Sequence, residues 1–270
     1  MAPADCSQCR GTGYRTQTMN LFGVEARVAV PCDCGEGQRA ARQLQRARIP
    51  RRYEHCDFDN FDTGLYESEP QATAWNRSLE QAKLVVEAFA RDYPAGSEAG
   101  LLLMGPCGVG KTHLGVATLK QLAKRGHQCL FYDYRELLKE IQASYNPENG
   151  ATEMRVLEPV LSAEVLLLDD MGASKPSPWA LDTLGHILNS RYNEKRVTLI
   201  TTNYLEGSAA NPAEPTRQPS GERLSVARED TLGERVGQRI RSRLYEMCRA
   251  VEVLAPDYRR EVRQAGRARA

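Results

Sequence analysis

The segment GPCGVGKT, residues 105–112, has the residue types and the spacing of a loop that binds phosphate groups. An apolar run, residues 101–104, precedes it, and a helical pattern, residues 113–125, follows it. Glycines let several backbone N–H groups converge on one anion, and a helix N-terminus adds partial positive charge. Lys111 would reach the β and γ phosphates, and Thr112 would bind Mg²⁺. The predicted nucleotide contacts are Gly105, Pro106, Cys107, Gly108, Val109, Gly110, Lys111, Thr112, His113 and Asp169.

Acidic and amide side chains end two further apolar segments. Asp169 and Asp170 terminate VLLLDD, and Asn203 terminates VTLITTN. The carboxyl ends of parallel strands meet at one edge of a sheet, beside the phosphate loop. Asp169 would hold Mg²⁺, Asp170 would orient or deprotonate an attacking water, and Asn203 would contact the γ phosphate or that water. Each signal is weak alone, but in combination they predict a site for nucleotide hydrolysis.

Two close cysteine pairs near the N-terminus have the spacing of a zinc site. Cys6 and Cys9 form a C-x-x-C, and Cys32 and Cys34 form a C-x-C about 22 residues later. The segment between them is β-prone over residues 24–30, and it is too short to fold on its own apolar surface. Structural zinc contributes about 10–16 kcal/mol to folding. The pattern therefore predicts a small zinc ribbon with four cysteine ligands, and the alternative is four unrelated surface cysteines.

Composition excludes several classes of protein. The chain has 270 residues, a hydrophobic content of 41% and a formal net charge of +1. No apolar run approaches the length of a membrane-spanning helix and no signal-peptide pattern opens the chain, so we expect a cytoplasmic protein. In that compartment thiols stay reduced, and the eight cysteines favour metal binding over disulfides. The remaining cysteines are interpreted as small buried residues.

The elements that must position these groups alternate between strands and helices. Such alternation predicts an α/β fold with a parallel sheet covered by helices on both faces. The predicted strands cover residues 101–104, 128–132, 165–168, 197–201 and 250–254. The predicted helices cover residues 72–93, 113–125, 134–145 and 177–192.

Positive charge is concentrated at the two ends of the chain. Residues 1–52 contain nine arginines against four acidic residues, and residues 235–270 contain ten against four. Such ends suggest contact with nucleic acid or an acidic partner, with solvated tails as the alternative. Residues 232–248 are predicted to form one helix with Arg235, Arg239 and Arg243 on a single face. In a ring or spiral, that face would offer a guanidinium to a neighbour's γ phosphate.

Five segments together resemble the AAA+ ATPases of the DnaC/IstB group. They are RIPRRYEHCDFDNF, GPCGVGKT, VLLLDDMG, ITTN and RIRSRLYEMCRAVEV, spread over residues 49–260. The group includes bacterial and phage replicative-helicase loaders and transposition helper ATPases. The resemblance implies a P-loop AAA+ core with a five-stranded parallel sheet between helices and no helical lid domain, beside the N-terminal zinc ribbon.

The resemblance also implies roles for individual residues. Lys111, Thr112 and Asp169 would bind ATP and Mg²⁺, and Asn203 would be the sensor. Arg243 would be the arginine finger, with Arg239 as a second candidate. Asp170 stands where many members carry Glu, and its shorter reach suits slow or partner-stimulated hydrolysis. Single-stranded DNA in this group lies along the helices that follow the second strand and the Asp-Asp motif. The residues of this chain that fall there are Tyr145, Lys175, Ser177 and Trp179. Tyr145 and Trp179 could stack on bases, or they could simply pack against the protein.

These inferences predict a domain order and three alternative functions. The expected units are a zinc module (1–37), a basic linker helix (38–52), an AAA+ domain (53–260) with a flexible loop at 205–231, and a tail (261–270). The first alternative is a loader that self-associates through its ATP site and delivers a hexameric replicative helicase to single-stranded DNA. The second is a transposition helper acting on duplex DNA. The third is a zinc-stabilised nucleic-acid-binding adaptor that uses ATP as a switch.

Overall fold

The computed structural model describes residues 6–21, 24–65, 71–95, 99–146, 152–173, 177–206 and 230–260. Its main body is a five-stranded sheet with helices on both faces, and an antiparallel hairpin precedes it. All four strand pairs of the main sheet are parallel. This architecture confirms the predicted α/β P-loop fold class. Among the described residues, no helix is long and apolar enough to cross a membrane.

Seven strands are present in the described residues, two in the hairpin and five in the main sheet. The hairpin pairs Tyr14 with Pro31 at one end and Leu21 with Val24 at the other. The main sheet has the spatial order β4-β5-β6-β3-β7. The strands are β1 (Tyr14–Leu21), β2 (Val24–Pro31), β3 (Gly100–Met104), β4 (Cys129–Asp133), β5 (Val165–Asp169), β6 (Val197–Thr202) and β7 (Cys248–Glu252).

The inner strands are buried along their whole length because helices cover both faces of the sheet. Alternate side chains enter two separate cores, as the period of a strand requires. Leu101 and Leu103 pack with the helices of one face, while Leu102 and Met104 pack with those of the other. The helices are α1 (Glu36–Arg46), α2 (Ala72–Asp92), α3 (Lys111–Lys124), α4 (Tyr134–Ala143), α5 (Glu153–Ser162), α6 (Pro178–Asn193), α7 (Leu232–Val236) and α8 (Gln238–Met247).

Two predicted boundaries on the periphery were wrong. The last strand covers Cys248–Glu252 and not residues 250–254, because its register is set by pairing with β3, Gly100 opposite Cys248. The basic helix expected over residues 38–52 is α1, which ends at Arg46. Its following residue, Ala47, is fully buried, and the Ala47 carbonyl accepts a hydrogen bond from the Phe131 N–H of β4 at 2.7 Å. The chain therefore leaves the helix to dock on the sheet.

The single helix predicted over residues 232–248 was also wrong. The segment forms two helices, α7 and α8, separated by Gly237 with φ 79° and ψ 155°. A side chain with a Cβ rarely adopts this conformation. Arg235 therefore belongs to α7, whereas Arg239 and Arg243 belong to α8. The three arginines do not form one continuous helical row.

Candidate functional site

The phosphate loop joins β3 to α3, in the order that the sequence predicts. Gly110 is the N-cap of α3 with φ 97°, and a Cβ at this position would lie 2.6 Å from Phe61 Cε2. Gly105 has φ 152°, and a Cβ there would overlap the Val253 carbonyl of the chain that follows β7. Glycine is therefore required at both ends of the loop, by backbone conformation and by close packing.

The Lys111 side chain is buried at the start of α3 and is 6% exposed. Its ammonium group donates to the carbonyl oxygens of Gly105 and Pro106 at 2.8 and 2.6 Å, and to Asn203 Oδ1 at 2.8 Å. Burial lowers the pKa of Lys111 to about 8, because the opposing attraction of nearby negative groups is smaller than the cost of desolvation. The ammonium is thus held at the loop by oxygens that phosphate oxygens could replace.

Asp169 ends β5 and is 2% exposed. Its Oδ1 accepts hydrogen bonds from the hydroxyls of Thr112 at 2.8 Å and Thr201 at 2.6 Å. Burial raises the pKa of Asp169, and the two hydroxyl donors oppose that rise by stabilising the carboxylate. A carboxylate and a hydroxyl this close provide the hard oxygen ligands that Mg²⁺ prefers.

Asp170 turns away from the strand in a left-handed conformation, with φ 56°. Its N–H donates to Thr201 Oγ1 at 2.9 Å, which fixes this turn against β6. Its Oδ1 accepts from Asn203 Nδ2 at 2.7 Å, and its Oδ2 pairs with Arg135 Nη2 at 3.2 Å. Because Asn203 also accepts from Lys111, one chain of polar contacts links Lys111, Asn203, Asp170 and Arg135.

These groups line a cavity of about 570 Å³ at the carboxyl edge of the sheet. The structure brings together the phosphate loop, Asp169, Asp170 and Asn203, which are the predicted residues of the nucleotide site. An apolar cavity of about 250 Å³ shares part of its wall, including Gly108, Gly110 and His113. Its apolar walls come from Phe61, Leu65, Leu79, Val109 and Ala255.

Arg135 and Thr201 are among the residues of this site that were missed at the level of sequence. Arg135 is the second residue after β4, and the convergence of parallel strand ends could have indicated it. Thr201 lies two residues before Asn203. Its hydroxyl donates to Asp169 Oδ1 and accepts from the Asp170 N–H, so it contacts both acidic residues of the site. A threonine inside a strand-forming run carries no local signal of this kind, so only its contacts reveal it.

Arg235, Arg239 and Arg243 lie outside the cavity that holds Lys111, whereas Arg259 lines it. Arg235 lies over the Tyr204 ring at 4.8 Å and pairs with Asp230 at 3.5 Å. Arg243 stacks on the Tyr192 ring at 4.2 Å and pairs with Glu246 at 2.8 Å. Together with Arg239, Arg243 lines a groove of about 780 Å³ between α6 and α8.

Arg239 is exposed, and within the described part of the chain no carboxylate pairs with it. Arg243 is positioned further by Asn189, whose Oδ1 accepts from Arg243 Nε at 3.1 Å. The protein therefore presents two guanidinium groups on one groove, which shares no lining residue with its own nucleotide cavity.

Three of the four predicted DNA-contacting residues lie in the described part of the chain, and Lys175 lies outside it. Tyr145 is 51% exposed, and its ring meets that of Trp179 edge-on at 6.3 Å. Trp179 Nε1 donates to the Tyr145 hydroxyl at 3.2 Å, and that hydroxyl donates to Glu153 at 3.0 Å. Ser177 caps α6 by accepting from the Ala180 N–H at 3.2 Å.

The four N-terminal cysteines lie together at the base of the β1–β2 hairpin. Their sulfur atoms lie within 4.8 Å of one another, with Cys6 to Cys32 at 3.7 Å and Cys9 to Cys34 at 3.4 Å. Tetrahedral zinc with Zn–S bonds of about 2.3 Å requires sulfur atoms about 3.8 Å apart. The cluster fits such an ion.

The fold and the site define a nucleotide-binding protein of the P-loop α/β class. Comparison with known families makes the assignment more specific, since the model of the IstB-like ATP binding protein family matches residues 37–208. The chain belongs to this family, which confirms the resemblance to the AAA+ ATPases of the DnaC/IstB group.

Individual relatives agree with this assignment. The replicative helicase loader DnaC of Escherichia coli K12 is 26% identical over 162 residues, which are 60% of this chain and 61% of DnaC. The uncharacterized protein YqaM of Bacillus subtilis is 25% identical over 181 residues, 63% of this chain and 53% of YqaM. The matched region thus spans about three fifths or less of each relative's length.

A solved structure of the DnaC helicase loader is similar with a TM-score of 0.55 and 29% identity, covering 75% of this chain and 99% of that one. The DnaI structure shares the fold with a TM-score of 0.52 and 24% identity, covering 80% of this chain and 98% of that one.

Proposed function

We propose that this protein is an ATP-dependent loader that delivers a hexameric replicative helicase to single-stranded DNA. The observation that carries the proposal is the chain of contacts through Lys111, Asn203 and Asp170, which joins the phosphate loop to the acidic end of β5. The same core is present in the helicase loader DnaC. A bound γ phosphate would compete for Lys111 and so change the contacts of Asn203 and Asp170.

In this proposal ATP occupies the 570 Å³ cavity, with its base in the adjoining apolar cavity against Phe61 and Val109. Thr112 and Asp169 would hold Mg²⁺, which would supply positive charge to neutralise the phosphates. Asp170 orients the attacking water once Arg135 and Asn203 release it. Hydrolysis is slow in the isolated protein because Asp170 is engaged by both partners.

Self-association completes the site. Arg243, with Arg239 as the alternative, faces a groove that shares no lining residue with its own nucleotide cavity, so it acts on the γ phosphate held by a neighbouring copy. An arginine supplied in this way accelerates hydrolysis by about 10³ to 10⁵. Stacking on Tyr192 and the bond to Asn189 hold Arg243 ready for this contact.

Single-stranded DNA is assigned to the surface around Tyr145, Trp179, Ser177 and Lys175. The exposed Tyr145 ring offers a face to a base, and each stacked base would contribute about 1–3 kcal/mol. The edge-on contact between the two rings means that Trp179 also serves to hold Tyr145.

The N-terminal part docks the helicase. We divide the chain into a zinc module (1–37), a basic segment (38–52) that includes most of α1, and the AAA+ domain (53–260). The flexible loop expected at 205–231 lies mostly outside the described residues, and the tail expected at 261–270 lies wholly outside them. Zn²⁺ bound by Cys6, Cys9, Cys32 and Cys34 shapes the module. The exposed hairpin then offers its strands to the partner protein.

Co-sedimentation with the replicative helicase of the same cell or phage tests this function. The full chain should form a complex whose yield depends on ATP and single-stranded DNA, and deletion of residues 1–52 should abolish it. The Lys111→Ala variant should form the complex without responding to ATP. Absence of any complex with the helicase would overturn the loader function.

Membership of the IstB-like family favours a second candidate, a transposition helper that acts on duplex DNA. A transposase that co-sediments with the protein on duplex DNA, in place of the helicase, would establish it. A zinc-stabilised adaptor that uses ATP only as a switch would lose function in Lys111→Ala and keep it in Asp170→Asn.

A further inference from the structure

A second group of metal-ligating side chains lies in the wall of the nucleotide cavity. His55, Cys56 and His113 each place a ligand atom within 4.8 Å of the other two. The Cys56 sulfur is 3.9 Å from His55 Nε2. Cys56 is 2% exposed, His113 is half-buried, and His55 is exposed. One cysteine and two histidines form a ligand set that suits Zn²⁺.

The hydrogen bond of His113 leaves one ring nitrogen available for a metal. His113 Nε2 lies 2.8 Å from the Asp57 carbonyl oxygen. A carbonyl oxygen can only accept, so Nε2 carries the proton and Nδ1 keeps a free lone pair. Metal-binding histidines usually donate their second ring N–H to a carbonyl or carboxylate in this way.

The backbone that carries the other two ligands is fastened to the same helix. The Lys120 ammonium of α3 donates to the carbonyl oxygens of Glu54 and Cys56 at 2.7 and 2.8 Å. It also pairs with the Asp57 carboxylate at 2.7 Å. Lys120 and His113 thus hold residues 54–57 against α3. A site in which the ligands are fixed before the ion arrives loses little entropy on binding.

The three side chains face the cavity that also contains Thr112, the neighbour of His113 in the chain. Tetrahedral zinc with three protein ligands keeps one position open for water or substrate. We propose that His55, Cys56 and His113 form a Zn²⁺ site whose fourth position opens to the nucleotide cavity. This site is separate from the N-terminal cysteines and from the Mg²⁺ ligands, and it does not depend on the loader function.

Titration of the metal-free full chain with Co²⁺, a spectroscopic substitute for Zn²⁺, tests the site. His55→Gln is the main variant, because His55 is exposed and its only ring contact in the described residues is the edge-on one with His113 at 6.0 Å. Cys56→Ser and His113→Gln remove the other ligands. Mutation of a residue that only hydrogen-bonds to a metal ligand weakens metal binding about 10- to 100-fold, and loss of the ligand itself should weaken it at least as much. Each variant should therefore lose one equivalent of Co²⁺ or bind it at least about tenfold more weakly.

Two matched variants serve as controls. Cys107 is exposed, unlike Cys56, Cys129 and Cys248, so its interpretation as a buried residue was wrong. Cys107→Ser removes this thiol from the same cavity, and His186→Gln removes an exposed imidazole from α6. Both should keep the stoichiometry and the absorption bands of the parent protein. The N-terminal cysteines are intact in every variant, so their own metal binding cancels in the comparison. Unchanged stoichiometry and affinity in His55→Gln and Cys56→Ser would overturn the proposal.

The open fourth position has a separate readout. A nucleotide whose binding is followed independently should shift the absorption bands of the bound Co²⁺, because it replaces water or changes the surroundings of the ion. Bands that stay unchanged in the nucleotide-bound protein would contradict an opening toward the cavity.

Discussion

Lys111 carries a positive charge inside the protein, and burial lowers its pKa from 10.5 to about 8. Nucleotide phosphates favour the charged form, so ATP binding should return a proton to Lys111 above pH 8. The affinity for ATP should therefore fall about tenfold between pH 7 and pH 9. Calorimetry at pH 8, in two buffers of different ionisation enthalpy, should detect uptake of about half a proton.

The Lys111→Arg variant is the control, because a guanidinium stays charged over this range and its binding should not vary with pH. Without nucleotide, a rise in pH has the opposite effect on the folded protein: it increases the free energy of unfolding, whereas it decreases the affinity for ATP. The unfolded chain binds more protons between pH 8 and 10.5, so the contribution of Lys111 should stabilise the fold as the pH rises through that window. An ATP affinity that is constant from pH 7 to 9 would contradict a phosphate ligand whose pKa is lowered to about 8 in the free protein.

The break between α7 and α8 depends on one glycine. Gly237 has φ 79° and ψ 155°, and a Cβ there would meet no atom within 4 Å. Substitution by Ala would therefore cost only backbone strain, about 1–3 kcal/mol. Gly185 inside α6 also has open space around it but no positive φ. Gly185→Ala should stabilise the protein by about 0.5–1 kcal/mol.

Urea unfolding of Gly237→Ala and Gly185→Ala measures the difference between their free energies of unfolding. Because both variants add the same methyl group, this difference reports the backbone strain at Gly237. Equal free energies of unfolding would mean that α7 and α8 form one helix in solution. In that case Arg239 and Arg243 would not line the groove between α6 and α8 as they do in this structure.

The hairpin β1–β2 should depend on its metal. A two-stranded hairpin is marginally stable alone, and the described residues of its strands are exposed or only partly buried. We expect Cys9→Ser to lose one equivalent of zinc and to become sensitive to protease within residues 14–31. The thermal transition of the main domain should change little, because the two cores contain no cysteine of this cluster.

Cys107→Ser is the matched control, and it should keep its zinc and its protease resistance. A Cys9→Ser protein with an unchanged zinc content and an intact hairpin would refute the four-cysteine zinc site.

Assembly of several copies should be visible in mixtures of two inactive variants. Asp170→Asn keeps the left-handed backbone that Asn tolerates, but it loses the carboxylate that orients water. Arg243→Ala removes the guanidinium offered to the neighbouring copy. Each variant alone should hydrolyse ATP at least about 100-fold more slowly than the parent protein, while still binding it.

Mixing the two variants should restore part of the ATPase rate. Some interfaces then combine the intact Asp170 of one copy with the intact Arg243 of the next. Arg249→Ala, an exposed arginine on β7 outside the groove, should keep the full rate. Mixtures as inactive as their components would place the arginine finger elsewhere, with Arg239 tested next.

Local sequence determined the phosphate loop, the acidic end of β5, the amide after β6 and the cysteine cluster. Each of these depends on residues close together in the chain, or on the rule that parallel strand ends meet at one edge. The sequence of strands in the main sheet followed from apolar periodicity for the same reason, and the parallel sheet confirms it. The helix α5, Glu153–Ser162, was not predicted.

Tertiary structure decided what depends on contacts between distant segments. Arg135 pairs with Asp170 because the sheet places the ends of β4 and β5 side by side. His113 lies beside Cys56 because Lys120 and His113 hold residues 54–57 against α3. The break at Gly237 was hidden because glycine lowers helix stability by only about 1 kcal/mol. The apolar pattern of the sequence therefore predicted one helix across Gly237, whereas the structure has α7 before it and α8 after it.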